Sequence, residues 1–402
     1  MSRRRVQALA ALAAVGISGY SSVAIPVLAG SLEADLNLGK GTLGLLLSLG
    51  MGGGCVGGLA AGWIADRVDA LRSLRLFAAI AAVGCAMAAM GGFHNSLLGP
   101  GLVAIGLGSG GSYVAAGGLL GMLFPHRRRG SFSGLMVTNA AAGMVFPLGV
   151  AGLNGLWQRG DMPLSWVLAG PYSAVAVAML LLTAALGGRP EGPPAAPDDG
   201  AQPARRGRLN PAVVLVILAL ATIHGTADGV LYCWITRYLE GRFPSPAFAP
   251  GLVLSFYAAA YMTGRLALTF MPDRVGRTAL VVVPGLLSGP IVFAALRAPS
   301  LGLAAAGYAT ASLLYGLEFP SLMGLASQRY PERFSMIFGW VSGATVVTMA
   351  CVWGVGRWAE STGTMLPALS TAACGFVLFG VIAAVWVAAD GRRGRVVTAP
   401  QG

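Results

Sequence analysis

Long apolar runs of about 20 residues recur along almost the whole chain and limit what it can fold into. The chain has 402 residues, of which 55% are hydrophobic and only 10% are charged. A soluble domain typically has about a quarter of its residues charged, whereas roughly 20 residues of helix cross the hydrocarbon core of a bilayer. The runs are too long for strands and lack period-two alternation. They predict an all-α polytopic membrane protein.

Charged or turn-rich breaks divide the sequence into twelve candidate spans. They cover roughly 6–30, 41–65, 73–93, 97–124, 132–156, 166–187, 211–238, 250–271, 278–296, 301–327, 335–358 and 365–389. Most breaks are short, but one is long and rich in Pro, Gly and charge, which is typical of a flexible linker. We therefore predict four parts: a six-helix bundle over 1–187, a cytoplasmic linker over 188–210, a second six-helix bundle over 211–391 and a tail over 392–402.

The distribution of basic residues indicates the orientation in the membrane. With the N-terminus in the cytoplasm, the cytoplasmic segments carry twenty arginines and the opposite side carries six basic residues. Because Lys and Arg concentrate in cytoplasmic loops, both termini are predicted to be cytoplasmic. This topology also accounts for the net charge of +12 without a nucleic-acid partner. The abundance of Arg, Ala, Gly and Pro is typical of a GC-rich bacterial genome and favours the inner, cytoplasmic membrane.

The second half of the chain repeats features of the first half at an offset of 206–207 residues. The sequence Asp-Arg-Val occurs at 66–68, after the second span, and again at 273–275, after the eighth. A proline follows the fourth span at Pro125 and the tenth span at Pro331. One offset that holds at loops far apart in the sequence predicts two pseudo-symmetric six-helix bundles.

These features together resemble the major facilitator superfamily of secondary transporters. The resemblance covers nearly the whole chain: twelve spans, a central linker, and a Gly-Asp-Arg signature after the second and eighth spans. The second copy, 273–277, fits the family pattern well, whereas the first copy has Asp69 where the family usually has Gly. The resemblance implies alternating access, but it does not identify the solute. It also implies that the signature residues gate the cytoplasmic side: Asp66, Arg67, Asp273, Arg274, Gly276 and Arg277.

Three ionisable side chains stand out within the predicted spans: Asp228, Arg265 and Glu318. Each costs about 2.5–3.5 kcal/mol at mid-membrane on insertion scales, so each needs a function or a partner. In the family the first, fourth, seventh and tenth spans line the central cavity, which implies that both acids face water or solute. A neutralised carboxyl group crosses between states more easily than an anion, so we expect both acids to carry protons or bind cations. The alternative is a structural salt bridge with Arg265.

Two further side chains near these acids are candidates for the transport site. Arg265 lies in a Gly-Arg pair that resembles the eighth span of carboxylate-transporting members, where the arginine holds the substrate anion. A planar guanidinium suits a carboxylate, although internal pairing is the alternative. His224 lies one helical turn from Asp228 on the same face, so it is either a proton relay or a satisfied buried polar residue.

Symmetry and position add other candidates. At the repeat offset, Ser22 matches Asp228 and Ser112 matches Glu318. The remaining candidate cavity residues, for which packing or interface anchoring is the alternative, are Tyr20, Tyr113, Asn139, Tyr257, Tyr261 and Trp340.

Two backbone features of the spans carry predictions about packing. The glycine pattern G-x-G-x-x-G at 106–111 lies inside a span with no preceding strand, so it indicates close helix packing rather than a dinucleotide loop. Pro320 removes the backbone donor that would bond to the Gly316 carbonyl, which predicts a kink.

The sequence thus predicts a proton-driven secondary transporter of a small organic solute, either a carboxylate or a sugar-like metabolite, with no cofactor. A drug or metabolite efflux antiporter is the alternative within the class, although Pro147 interrupts the antiporter pattern of the fifth span. A non-transporting sensor or scaffold is the alternative from another class. Three scattered histidines and five cysteines without a CxxC pattern indicate neither an enzyme nor a metal site. The expected partners are the solute and the lipid bilayer, with the protein a monomer.

Overall fold

The structure is a computed structural model, and the residues it describes are almost entirely α-helical. It describes residues 3–65, 69–124, 128–186, 209–244, 249–271, 276, 278–330 and 333–397. Its α-helices are α1 (Arg3–Asp35), α2 (Lys40–Ala65), α3 (Ala70–Gly91), α4 (Leu98–Leu123), α5 (Arg128–Gln158), α6 (Leu164–Ala185), α7 (Pro211–Arg242), α8 (Ala249–Phe270), α9 (Val283–Leu296), α10 (Leu301–Tyr315), α11 (Glu318–Arg329), α12 (Phe334–Gly343), α13 (Thr345–Thr362) and α14 (Leu366–Val397).

The predicted spans coincide with these helices or with consecutive pairs of them. Within the described ranges, ten helical segments are long and apolar enough to cross a membrane, and a shorter apolar one runs over Leu280–Leu296. Helices α10 and α11 together cover the tenth predicted span, and α12 and α13 cover the eleventh. The all-helical membrane fold is therefore confirmed.

The tenth span is broken at the position where the sequence predicts a kink. Helix α10 ends at Tyr315, a turn covers Gly316 and Leu317, and α11 begins at Glu318. Pro320 lies in the first turn of α11, where its missing N–H is tolerated. Its ring and lost donor prevent one continuous helix, so the span is two half-helices joined by a short hinge.

The helices pack as two bundles, one in each half of the chain. In the first half α3 packs on α4 and α6, α2 packs on α4, and α1 packs on α5. In the second half α9 packs on α10 and α14, while α8 and α7 pack on α10 and α14 respectively. The glycine pattern at 106–111 lies within α4, as predicted: a Cβ placed on Gly110 would lie 2.7 Å from the Gly54 Cα of α2. The two backbones touch there because Gly110 carries no side chain.

Among the described residues four helix pairs make most of the contact between the two bundles: α1 with α7, α2 with α12, α2 with α13, and α5 with α8. At the end of the bundle where α1 and α7 finish, which we call the distal end, Arg237 Nε lies 2.6 Å from Glu33 Oε2. One residue earlier, the Thr236 hydroxyl donates to the Pro26 carbonyl across 2.5 Å. The distal end is therefore closed by direct polar contacts between the halves.

Several predicted features lie outside the described residues. They include most of the linker and the gating residues Asp66, Arg67, Asp273, Arg274 and Arg277. Gly276 is described and exposed. Helix α14 continues to Val397, past the predicted end of the second bundle at residue 391, so the predicted tail begins in a helix and its boundary stays a prediction. The arginines there end the apolar run without ending the helix, since Arg is a good helix former.

Candidate functional site

Two helix faces of the second bundle carry the polar residues that the sequence singles out. On α7, His224, Asp228 and Tyr232 follow one another at intervals of four residues, and on α8 the same interval joins Tyr257, Tyr261 and Arg265. Residues four apart lie on one face of a helix. The two faces are brought together because α7 and α8 both pack within the second bundle and contact each other.

Asp228 is half-buried and accepts hydrogen bonds from two phenol groups. The Tyr257 hydroxyl of α8 donates to Asp228 Oδ1 in a short contact, and the Tyr315 hydroxyl of α10 donates to the same oxygen across 3.2 Å. A phenol O–H can also accept a hydrogen bond when the carboxyl group is protonated. The arrangement can therefore accommodate both protonation states of Asp228.

Glu318 and His224 form a second polar pair that is closed off from solvent. His224 Nδ1 lies 2.8 Å from Glu318 Oε2, and the two side chains are 2% and 0% exposed. One proton must lie between these atoms, either on the ring nitrogen or on the carboxyl oxygen. Four aromatic rings lie around the imidazole with centroids 5.8–6.3 Å away: Tyr315, Phe319, Phe376 and Phe379.

Arg265 is held against the ring and hydroxyl of Tyr261. Its Nη2 donates to the Tyr261 hydroxyl across 2.7 Å, and its Cζ lies 4.1 Å from the ring centroid. This geometry combines a hydrogen bond with a cation–π contact. It folds the guanidinium back along α8 onto Tyr261, which lies one helical turn before Arg265.

A cavity of about 340 Å³ lies between the two bundles. Its walls come from α1, α2 and α4 of the first bundle and from α7, α12 and α13 of the second. Tyr232 lies in the wall, and its ring centroid is 6.4 Å from that of Tyr257. A single layer of aromatic side chains, formed by Tyr232 and Tyr257, therefore separates the cavity from Asp228.

The sequence as a whole matches a known family. The model of the Major Facilitator Superfamily matches residues 10–355. The chain belongs to the major facilitator superfamily. Membership in this family of transporters confirms that the chain is not an enzyme.

Solved structures of superfamily members resemble the chain over nearly its full length. A D-xylose–proton symporter gives a TM-score of 0.76 at 15% identity, covering 95% of this chain and 97% of that chain. A bacterial homologue of the human lysosomal transporter Spinster, inward-facing and occupied, gives 0.66 at 17% identity and covers 96% of each chain. The Escherichia coli fucose–proton symporter gives 0.65 at 15%, covering 94% and 97%. At these identities the likeness shows the fold. No curated protein matches the chain.

One geometric expectation about this superfamily member is wrong. Glu318 and Asp228 were expected to face the central cavity, but the Glu318 side chain is fully buried inside the second bundle, and Asp228 is not among the residues that line the cavity described above. The hinge after Tyr315 is the reason, because α11 restarts at Glu318 with its first turn against α7. The roles of Glu318, Asp228 and His224 in transport stay predictions.

Tyr315 is the main site residue that the sequence analysis missed. It donates to Asp228, its ring stacks on Phe376 with centroids 4.5 Å apart, and it lies against His224. In a long apolar run a tyrosine cannot be distinguished from a residue of the packed core, so the sequence did not indicate its hydrogen bond to Asp228. The sequence does offer one signal for Tyr315, because it precedes Glu318 by three residues and residues at that spacing are neighbours on a helix surface.

The other predicted candidates lie in different surroundings. Tyr113 lines the cavity and stacks on Phe338 of the other bundle at 6.3 Å. Ser112 is fully buried, Asn139 is exposed, and Trp340 is 41% exposed. The side chains of Tyr20 and Ser22 lie outside the described residues. Among the described residues no group of three or more His, Cys, Asp or Glu could hold a metal ion.

Proposed function

We propose that this superfamily member is a proton-coupled secondary transporter of a small organic solute. The observation that carries the proposal is Asp228, a half-buried carboxyl group in a membrane-spanning helix that is bonded by two phenol hydroxyls. Phenols satisfy the carboxyl group whether or not it carries a proton. Such a group can gain and lose a proton during a cycle without leaving a buried polar atom unpaired.

Alternating access follows from the two-bundle architecture. The solute binds between the bundles, and rocking of one bundle against the other exposes the site to each side in turn. The Glu33–Arg237 contact between α1 and α7 is broken when the distal end opens. Since Asp228 and Arg237 both lie on α7, a change at the proton site acts on the same helix that closes the distal end.

Two solute classes are proposed on different grounds. A sugar-like solute is supported by the shared fold with D-xylose–proton and fucose–proton symporters. A carboxylate is supported by Arg265, whose planar guanidinium suits an anion. The inner-membrane location, the cytoplasmic termini and the monomeric state remain predictions from the sequence.

A second candidate is an efflux antiporter for an amphipathic solute. It is favoured by the cavity wall, which is made largely of Leu, Ile, Met, Val and Gly residues. The two candidates differ in whether solute and proton cross in the same direction or in opposite directions.

The test is proton-coupled flux in proteoliposomes with an imposed pH gradient. Wild-type protein, Asp228→Asn and the control Asp161→Asn, which alters an exposed aspartate in the α5–α6 connection, are reconstituted at equal density. We expect the gradient to drive accumulation of a solute from a panel with D-xylose, L-fucose and 4-hydroxybenzoate in the wild type and the control. Asp228→Asn should lose gradient-driven accumulation while it retains solute exchange at equal pH.

The outcomes separate the alternatives. Full pH-driven accumulation by Asp228→Asn would contradict the proposed coupling. Solute and proton movement in opposite directions would identify the antiporter, and specific binding without flux would identify a sensor.

A further inference from the structure

The wall of the cavity between the bundles differs in composition from the group of ionisable residues around Asp228. None of the cavity-lining side chains that the structure describes is charged. Most of the wall is aliphatic, with Leu46, Met51 and Val114 as examples, and one side is backbone. On that side Gly110 of α4 lies so close to the Gly54 backbone of α2 that it cannot carry a side chain.

The polar atoms of the wall are hydroxyl groups. They belong to Ser109, Tyr113, Tyr232, Ser342 and Thr345. Ser109 Oγ is buried and has no hydrogen-bond partner within the described ranges. Ser342 donates to the Phe338 carbonyl across 3.0 Å, so its oxygen remains free to accept. These groups can bond to a hydroxyl or a carbonyl of a ligand, but they cannot neutralise a charge.

The charged groups of the second bundle lie behind this wall with partners of their own. Asp228 is bonded by Tyr257 and Tyr315, and Arg265 is bonded by Tyr261. None of these five residues lines the cavity. A carboxylate solute in the cavity would therefore lose its hydration without a direct ion pair to any wall side chain, because Arg265 acts on the wall only as a neighbour of Tyr113, and this is unfavourable.

We propose that the cavity binds an uncharged organic solute with an apolar face and at least one hydroxyl or carbonyl group. This inference rests on the proposed function and narrows its solute. It selects an uncharged solute over a carboxylate, and it separates the solute site from the proton site. Asp228 then exchanges a proton across the Tyr232–Tyr257 layer without touching the solute.

A matched pair of probe compounds tests whether the cavity prefers an uncharged solute to a carboxylate. Methyl 4-hydroxybenzoate and 4-hydroxybenzoate share a ring and a hydroxyl group, but only the second carries a negative charge at neutral pH. D-xylose serves as an uncharged solute without an apolar ring. We expect the methyl ester at millimolar concentration to raise the Tm of the purified protein by about 2 °C or more, and the carboxylate to leave it unchanged.

Two variants of α2 locate the binding. Met51→Trp fills the cavity, whereas Val56→Trp adds the same side chain at a position on α2 that is 55% exposed and outside the wall. The methyl ester should stabilise Val56→Trp as it does the wild type and should not stabilise Met51→Trp. Equal stabilisation of both variants would overturn the proposal, because the ester would then bind elsewhere.

Cys233 provides a second readout that does not depend on a substitution. It lines the cavity and is 3% exposed, whereas Cys351 and Cys374 are exposed. The methyl ester should slow alkylation of Cys233 by N-ethylmaleimide severalfold and leave the rates at the other two unchanged, as followed by mass spectrometry. Equal slowing at all three cysteines would overturn the proposal.

Three results with the probes would also overturn it: stabilisation by the carboxylate that Met51→Trp abolishes, binding of D-xylose alone, or no response to any probe. These failures are distinguishable from failure of the proposed function. Loss of coupling in Asp228→Asn is measured as gradient-driven flux, whereas the cavity experiments measure binding without a gradient.

Discussion

The Tyr315 hydroxyl lies 3.2 Å from Asp228 Oδ1 and joins α7 to the last residue of α10. One helical turn earlier on α7, His224 contacts Glu318, the first residue of α11. Helix α7 is therefore fastened to both half-helices of the tenth span, one on each side of the hinge. Movement at the hinge must alter at least one of these two contacts.

Removing the Tyr315 hydroxyl should weaken coupling more than it weakens the fold. In Tyr315→Phe, Asp228 loses one of its two phenol donors, and a hydrogen bond to a charged group is worth about 1.5–3 kcal/mol. We expect gradient-driven uptake to fall by about tenfold, measured in proteoliposomes at equal protein density.

Tyr308→Phe is the matched control on the same helix. The Tyr308 hydroxyl is buried without a hydrogen-bond partner among the described residues, so its removal should change neither uptake nor Tm. Equal loss of uptake in the two variants would show that the phenol bonded to Asp228 has no special role.

Breaking the His224–Glu318 pair should destabilise the protein. Glu318→Ala leaves a fully buried imidazole without its partner, which should lower the free energy of unfolding by about 3 kcal/mol. Glu318→Gln retains an oxygen that accepts from Nδ1 and should lose about 1 kcal/mol. Thermal unfolding in one detergent measures both. The control is Glu360→Ala, which removes an exposed carboxylate and should have little effect. Equal unfolding temperatures for Glu318→Ala and the control would exclude a structural role of the pair.

Opening of the distal end should become easier when the Glu33–Arg237 contact is lost. The side chains are 20% and 23% exposed, so the contact is worth about 1 kcal/mol, or roughly a fivefold change in the equilibrium between closed and open states. We expect Arg237→Ala to speed modification of Cys233 by a membrane-impermeant thiol reagent added from the distal side.

A charge swap and a surface pair provide the controls. The double variant Glu33→Arg with Arg237→Glu should restore slow modification, whereas Arg357→Ala, from an exposed pair within α13, should leave the rate unchanged. If the swap stays as fast as Arg237→Ala, the ion pair does not hold the distal end closed.

The glycine contact between α2 and α4 should be intolerant of even one methyl group. In Gly110→Ala the new Cβ would lie 2.7 Å from the Gly54 Cα, so the backbones must separate at a cost of about 1–3 kcal/mol. Gly155→Ala on α5 meets no atom within 4 Å and should be neutral or slightly stabilising. Size-exclusion profiles and unfolding temperatures compare the two variants. A wild-type unfolding temperature for Gly110→Ala would mean that the two helices are not in direct backbone contact.

Substitution of Arg265 distinguishes a packing role from anion binding. Arg265→Lys loses the planar stack on Tyr261, and lysine does not replace that geometry. We expect a loss of about 1 kcal/mol in stability and no change in the affinity for methyl 4-hydroxybenzoate, measured by titration of the Tm shift. A selective loss of affinity for 4-hydroxybenzoate would instead assign Arg265 to an anion.

The candidate site was predicted in part. The sequence identifies Asp228, Glu318 and Arg265 because charge is costly inside apolar spans. Helical spacing from Asp228 adds His224, and Tyr257 and Tyr261 enter only as candidate cavity residues. It could not separate the two acids, since both have similar positions along their spans. Only the packing shows that Asp228 is half-buried among phenols and that Glu318 is sealed against His224.

The sequence by itself determined the class, the helix positions and the family. Those properties depend on local quantities, namely the apolar length needed to cross a bilayer, the helix period and the signature after the eighth span. The tertiary structure decided which polar groups meet, because α7, α8 and the two halves of the tenth span are far apart in sequence. It also decided that the cavity wall is uncharged. The physical reason is the hinge before Glu318, where the missing donor of Pro320 breaks the helix and the first turn of α11 lies against α7 rather than toward the cavity.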